Sequence, residues 1–592
     1  MPAARRLVWS LLIPLLVAAG GAARAADAVP AGAAGQAFEK ASGAQFLDQY
    51  WRRHPDAAIA AGYYAVAEEL PAPDAQTRAE LLQFLRAADA RLQAIDPAGL
   101  PAAQRTDRAL LDSALREEIW QLSEKRDWEW DPSSYNVADA FSLLLDTPYA
   151  PAEKRLRTVL VRLGKVPAYY AAARASIGVP TREHTRLAIE QNRGALAVFG
   201  EDLARQVAAA QLTDAEKDLF ARRSADARAA IEGFVAWLEV RDRELAAGGA
   251  RSFRLGAALY ERQFAFDIAT GASAESLYRR ALAEKETLLG RMDLLADELW
   301  PKVFPDAPPP SDRLQKIGAV INRLSEQHAP AQGFTDEIRR LIPQMEQWIG
   351  EHRLLDLDPT RPLQVRTTPA YKQGVTAASI DAPGPYDPTA PTFFNVTPLD
   401  DRDPQRAESF LREYNRWILP ILVMHEAVPG HYVQLLHANK SPSRIKSLFG
   451  NTAMIEGWAV YSERLMIESG YGDDTAEQWL MYDKFNLRTV CNTILDYGVH
   501  VLDMSQEQAR HLLVDEAFQS PEQAREKWRR VTVTSVQLTS YFAGYSAIYD
   551  LRERLKREYG PRFDLRRFHE RFLGYGSAPV SMIAELISAD GL

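Results

Sequence analysis

Apolar residues recur at helical spacing from Phe38 almost to the C-terminus, with charged residues on the opposite positions. In Arg78 to Ile95, Thr213 to Leu245 and Ala274 to Leu299 they fall at i, i+3, i+4 and i+7, the stripe of a helix packed on a core. Helix starts carry their own signals. Thr213 with Glu216, Ser505 with Gln508, and Ser520-Pro521 with Gln523 have the form of capping boxes, in which a hydroxyl accepts an otherwise unpaired N–H and the side chain three residues on reaches back. No fixed-period repeat emerges, so a solenoid is not indicated.

Two stretches interrupt this pattern. Between Trp300 and Ser311, Pro301, Pro305, Pro308, Pro309 and Pro310 break any helix and mark a boundary between an N-terminal helical lobe, 26–300, and a C-terminal lobe, 301–592. From Arg361 to Pro398 lie the two strand candidates, Leu363 to Thr367 and Thr392 to Thr397, on either side of a Pro/Gly-rich loop from Pro383 to Pro388. The expected architecture is mainly α: a large two-lobed helical body with a small β-sheet beside the helix that carries the chemistry.

Composition supports a folded, enzyme-sized body, since 592 residues with 47% hydrophobic and 25% charged side chains can fill an extended core. The formal charge of −9 offers no basic face, and nucleic acid is not an expected partner. A single cysteine, Cys491, rules out an intramolecular disulfide and reads as a small buried helix residue. Arg5 and Arg6 precede an apolar run from Leu7 to Ala19, and small residues lead to Ala23-Arg24-Ala25, the pattern of a secretory signal over residues 1–25. That run is short for a membrane span, and no later stretch approaches ~20 uninterrupted apolar residues. The expected destination is the periplasm of a Gram-negative bacterium, with no stable membrane association after cleavage. No cysteine stands at the cleavage site to receive a lipid.

The chemistry concentrates after the apolar run Trp417 to Val423, in His425-Glu426-Ala427-Val428-Pro429-Gly430-His431. Zinc peptidases commonly use H-E-x-x-H, which puts both imidazoles on one helical face with the Glu beside the attacking water. Here the second His comes two residues late, and at ~3.6 residues per turn a straight helix would turn it roughly 120° away. Pro429 lacks the N–H for the His425 carbonyl, and Gly430 tolerates dihedrals closed to other residues. A local bulge at this pair would return His431 to the metal; the other reading is two unrelated histidines beside a kink. Glu456, an acid within the apolar stretch Asn451 to Glu463, is the best third ligand, because a buried carboxylate is costly unless paired or coordinated. Glu463 falls two turns later and either orients a ligand imidazole or forms a surface ion pair.

These residues resemble a known family. His425 to Gln434 is similar to the H-E-x-x-P-G-H-x-x-Q signature, and Glu456 to Glu463 to the E-G-W-A-x-Y-x-E signature, of the bacterial "domain of unknown function 885" family. That family is grouped with the Glu-ligand zinc peptidases, beside the thimet-type, angiotensin-converting-type and thermostable-carboxypeptidase-type helical oligopeptidases. The resemblance spans about Phe38 to about Leu586. Arg488, Asp496 to His500, and Tyr541 to Tyr545 resemble three further elements of the family. It implies a zincin-like fold with Zn2+ on His425, His431 and Glu456, Glu426 as general base, and a peptide substrate. His500, Tyr541 and Tyr545 enter as catalytic candidates, His500 and Tyr541 for the developing oxyanion; packing alone also explains tyrosines spaced by four. Many relatives carry a second His where this chain has Tyr432.

The expected activity is metal-assisted hydrolysis of short or unfolded peptides, the strand Thr392 to Thr397 offering an edge along which a peptide lies. Two rivals use the same residues. One is a non-catalytic peptide-binding protein on a peptidase scaffold, which the intact Glu426 disfavours; the other is a zinc hydrolase acting on a non-peptide amide or ester.

Overall fold

Capping chemistry starts the helices where the pattern places them. Helix α1, Ala75–Gln93, is capped by Asp74, and α2, Asp214–Ala246, opens with the full Thr213/Glu216 box. Ser505 forms its box with Gln508 as well, while Ser520 accepts the Gln523 N–H at 3.2 Å. Helix α3, Ala274–Val303, runs past its expected end with Pro301 in its last turn. A proline removes only its own N–H, and that of Phe304 still returns to the Trp300 carbonyl at 2.7 Å. This computed structural model describes residues 32–368, 378–382, 384–387, 391–399 and 403–592. The signal-like segment 1–25, with Pro383 and Pro388, lies outside the described residues.

The chain is mainly helical with one three-stranded sheet among the described residues. Strands β1, Leu363–Thr367, β2, Ala378–Asp381, and β3, Thr392–Val396, are ordered β1-β3-β2. β1 runs parallel to β3 with Leu363 opposite Thr392, and β2 runs antiparallel with Ala378 opposite Val396. This corrects the expectation of a peptide-binding edge at Thr392 to Thr397. β3 is the central strand, and its main-chain groups are paired on both sides. The cause is β2, four residues too short to register in the sequence pattern.

After the sheet come α4, Ile418–Glu426, α5, His431–Asn439, α6, Thr452–Glu468, α7, Ala476–Val501, α8, Pro521–Val533, and α9, Ser540–Tyr559. α7 is buried nearly all round, so its polar residues need partners. Asp483 pairs with Arg291 from α3, and Lys484 with Glu413 at 2.7 Å. Two apolar clusters fill the protein. The smaller draws on residues 59–238; the larger joins residues 38–115 and 260–349 to the helices that follow the sheet. Among the described residues no helix is long and apolar enough to cross a membrane.

Candidate metal centre

The H-E-x-x-P-G-H segment is not one bulged helix. α4 ends at Glu426, Ala427 leaves helical dihedrals at φ −108° and ψ −88°, and α5 begins at His431. The turn between them contains a cis Val428–Pro429 bond and folds back tightly on α4. A Cβ at Gly430 would lie 1.9 Å from the His425 carbonyl oxygen and 2.3 Å from that of Met424, so only glycine fits. Trp458 of α6 latches the turn, its indole N–H donating to the Pro429 carbonyl at 2.8 Å. Two short helices thus do what a spacing of four does on one. The His425 and His431 rings stand 4.9 Å apart at 88°.

Glu456, from α6, completes the group. Its Oε2 lies 3.8 Å from His425 Nε2 and 3.5 Å from His431 Nε2, and one ligand atom from each residue falls within 4.8 Å of the others. Tetrahedral zinc with N and O ligands at about 2.0–2.1 Å sets neighbouring donors ~3.3 Å apart, close to these separations. Glu456 Oε2 is buried with no hydrogen-bond partner, as a ligand oxygen would be without its ion. Burial would raise the Glu456 carboxyl, but the two imidazoles overcome it and hold the group below the usual carboxylate range. Burial pushes His425 down, yet Glu456 and Glu463 outweigh it and lift the imidazole to about 10. This donor set fits zinc.

Glu463 is fully buried and accepts from His425 Nδ1–H at 2.6 Å, which fixes the tautomer that turns Nε2 toward Glu456. The surface ion pair is thereby excluded for it. Glu463→Gln is expected to weaken zinc binding about 10- to 100-fold with Glu426 untouched. Competition with a chelator measures this; unchanged affinity would show that the imidazole needs no such support. Glu426 ends α4 beside His425, and burial pushes its carboxyl above the ordinary value against the pull of His431 and His425.

Tyr541 reaches the group through a helix crossing. α6 and α9 meet at Gly457 and Gly544, where a Cβ on Gly544 would stand 1.6 Å from the Ala453 carbonyl oxygen. Glu456 precedes the first glycine and Tyr541 stands one turn before the second. The Tyr541 ring stacks on His425 at 6.3 Å between centroids, and its hydroxyl accepts from Arg530 Nη2 at 3.0 Å. Burial and the nearby Glu456 raise its pKa, so the phenol keeps its proton at neutral pH.

His500 and Tyr545 are not brought to the ligand group. His500 Nε2–H donates to the carbonyls of Val531 and Thr534, both at 2.9 Å, while Asp496 accepts from the amides of Val536 and Leu538 at 3.0 Å each. Together they hold the elbow from α8 into α9, in which Val536 adopts φ +66°. This D-x-G-x-H element thus holds the segment between Arg530 and Tyr541 through its main chain. Tyr545 faces Arg464, Tyr482 and Tyr549. Sequence reasoning missed Arg530, because a basic residue on the charge-rich α8 looks the same whether it faces solvent or the site.

Two solved structures are similar along nearly the whole chain. A "putative lipoprotein of unknown function" from Shewanella oneidensis is 47% identical, with TM-score 0.84 over 94% of this chain and 100% of that one. A "putative lipoprotein" from Colwellia psychrerythraea is 18% identical, with TM-score 0.73 over 94% and 98%, and shares the fold. No curated protein matches. The profile described as "Bacterial protein of unknown function (DUF885)" matches residues 55–587, and the chain belongs to that family.

Proposed function

We propose that this protein is a zinc-dependent peptidase of the two-lobed, zincin-like helical kind, cleaving short or unfolded peptides outside the cytoplasm. The observation that carries this reading is the convergence of His425, His431 and Glu456, with an unpartnered carboxylate oxygen among them and Glu426 directly after the first histidine. Its location follows from the signal-like N-terminus.

His425, His431 and Glu456 would hold the ion, which when bound supplies a Lewis acid for the scissile carbonyl and lowers the pKa of water. Glu426 takes the proton from the attacking water and returns it to the leaving amine, a role suited to a carboxyl raised by burial. Tyr541, keeping its proton, donates a hydrogen bond from its hydroxyl to the carbonyl oxygen as negative charge develops there. Arg530, bonded to the same hydroxyl oxygen, makes it a stronger donor. Glu463 keeps the His425 ring turned.

Metal analysis of purified protein, combined with digestion of a mixed peptide library read by mass spectrometry, tests the reading. About one zinc per chain is expected, lost in His431→Ala, together with cleaved peptides. Full zinc in His431→Ala would remove that residue from the ligand set, and an uncleaved library with zinc bound would remove the peptidase.

A further inference from the structure

A cavity of about 220 Å³ adjoins the α8–α9 elbow, and none of the three metal ligands lines it. Its wall joins distant parts of the chain: the segment 125–131, His184, Gln263, His500 of α7 and the elbow residues 532–535. At ~30 Å³ per water it has room for about seven, and so for an organic molecule of similar heavy-atom number.

The polar atoms left open on this wall are acceptors. His500 is 3% exposed, and its Nε2–H is given to the carbonyls of Val531 and Thr534. Its Nδ1 therefore carries a lone pair, and that atom is buried with no hydrogen-bond partner. Asp131 Oδ1 accepts from the Ser133 amide at 2.8 Å and from its hydroxyl at 2.5 Å, whereas Oδ2 accepts no hydrogen bond among the described residues. His184 Nε2 stands 3.8 Å from that oxygen but donates to the Val533 carbonyl at 3.2 Å. Burial holds His184 below its ordinary range in spite of Asp131, so it brings no charge at neutral pH.

The donors are engaged. Gln263 Nε2 gives to Asp267 and to the Ser535 carbonyl, both at 3.0 Å, and the Thr534 hydroxyl gives to the Arg530 carbonyl at 2.9 Å. Lys125 lies 3.2 Å from Asp127, and its field also reaches Glu117 and Asp267. Arg251, over Trp130 at 4.8 Å, and Arg254, over Phe253 at 5.2 Å, are not part of the wall. Asp127 and Asp131 against Lys125 alone leave the cavity negative, and the Trp130 and Phe253 rings on the wall are surfaces that hold cations well.

We infer that this cavity binds a small organic molecule through a primary ammonium group, recognised by Asp131 Oδ2 and His500 Nδ1, with its alkyl part against Trp130 and Phe253. An ammonium has three donors and no acceptor, the complement of a wall whose open atoms only accept, and its bond to a carboxylate is charge-assisted. The inference stands on the cavity and does not rest on the peptidase reading.

Titration of the full chain with butylammonium and with 1-pentanol, an uncharged molecule of nearly the same shape, followed by ligand-detected NMR, tests it. Butylammonium is expected to bind about 10- to 100-fold more tightly, as for hydrogen bonds to a charged group. Asp131→Asn keeps the acceptor for the Ser133 amide but loses the charge, and should weaken butylammonium at least about tenfold. Lys125→Met removes a competing cation and should tighten it about two- to fivefold, a change that a merely structural lysine would not produce. His431→Ala should bind as the native protein does, which separates this cavity from the metal centre. L-norvaline and putrescine, compared with butylammonium, distinguish the sources: tighter binding of the first identifies free amino acids, of the second diamines, and either supports the site. Equal binding of amine and alcohol, no binding of any probe, full affinity in Asp131→Asn, weaker binding in Lys125→Met, or loss of binding in His431→Ala would each overturn it.

Discussion

Glu426→Gln is expected to lower peptide hydrolysis by about 10²–10⁴-fold while zinc content stays at that of the native protein. Glu426 is the last residue of α4 and follows the first ligand directly, yet it is absent from the three-residue ligand group. On the proposed reading it would stand beside the ion without holding it. Glutamine keeps the size and can still hydrogen-bond a water, but it cannot accept its proton. Burial raises the Glu426 carboxyl, so activity should fall on the acid side at a higher pH than an exposed glutamate would set, as the group protonates and stops acting as a base. The companion variant, Glu456→Gln, should behave differently. It replaces a charged ligand with a neutral amide and should lose metal before chemistry. Zinc content and hydrolysis of one peptide, measured for both variants in the same buffer, separate the roles. Near-native turnover in Glu426→Gln would end the general-base mechanism, and zinc lost from that variant alone would exchange base and ligand.

Much of this arrangement was legible in the sequence because it depends on local rules. Caps and apolar spacing placed the long helices to within a few residues, and the half-buried setting of Glu456 followed from an acid among large apolar neighbours. The Pro-Gly pair pointed to a rephased second histidine but not to the form it takes, since separate helices depend on the long-range latch from Trp458. The same limit applies to β2. Four residues without strong alternation become a strand only because β3 is beside them, and with β2 in place β3 has no free edge.

The elbow from α8 to α9 shows most clearly what the sequence could not carry. Asp496 and His500 lie one turn apart on α7, and the resemblance offered His500 as an oxyanion candidate, residue types that catalysis and structure share. Only the structure reveals that their partners are main-chain amides and carbonyls some thirty to forty residues later in the chain, with the Tyr260 hydroxyl donating to Asp496 as well. The elbow that His500 holds lies between Arg530 and Tyr541, so in the proposed mechanism His500 would act by positioning these two. Lys527, the single lysine of α8, is illegible for a related reason: α8 is charge-rich, and the burial of this side chain against Asn492 is a property of how α8 docks on α7.

Gly544→Ala should destabilise the fold and reduce zinc occupancy together. A methyl at this position would meet the Ala453 carbonyl oxygen at 1.6 Å, and one at Gly457 would meet the Gly544 carbonyl carbon at 2.3 Å. The obstructing atoms are main chain on both sides, so no side chain can swing away and the helix axes must part. Overpacking of a well-filled interior costs about 1–3 kcal/mol, occasionally more, and this contact belongs at the upper end. The effect on zinc follows from position. Glu456 adjoins Gly457, and Tyr541 lies one turn from Gly544, so a separation that admits a methyl also displaces a ligand and the phenol. Gly290 provides the control: it lies inside α3 with nothing within 4 Å of its would-be Cβ, and alanine there should be neutral or stabilising by about 0.5–1 kcal/mol. Thermal melts and zinc analysis of Gly544→Ala, Gly457→Ala and Gly290→Ala decide the matter. Both crossing variants should melt earlier and carry less zinc than the control; a Gly544→Ala protein that melts and loads zinc like the native one would mean that the crossing does not set the position of Glu456.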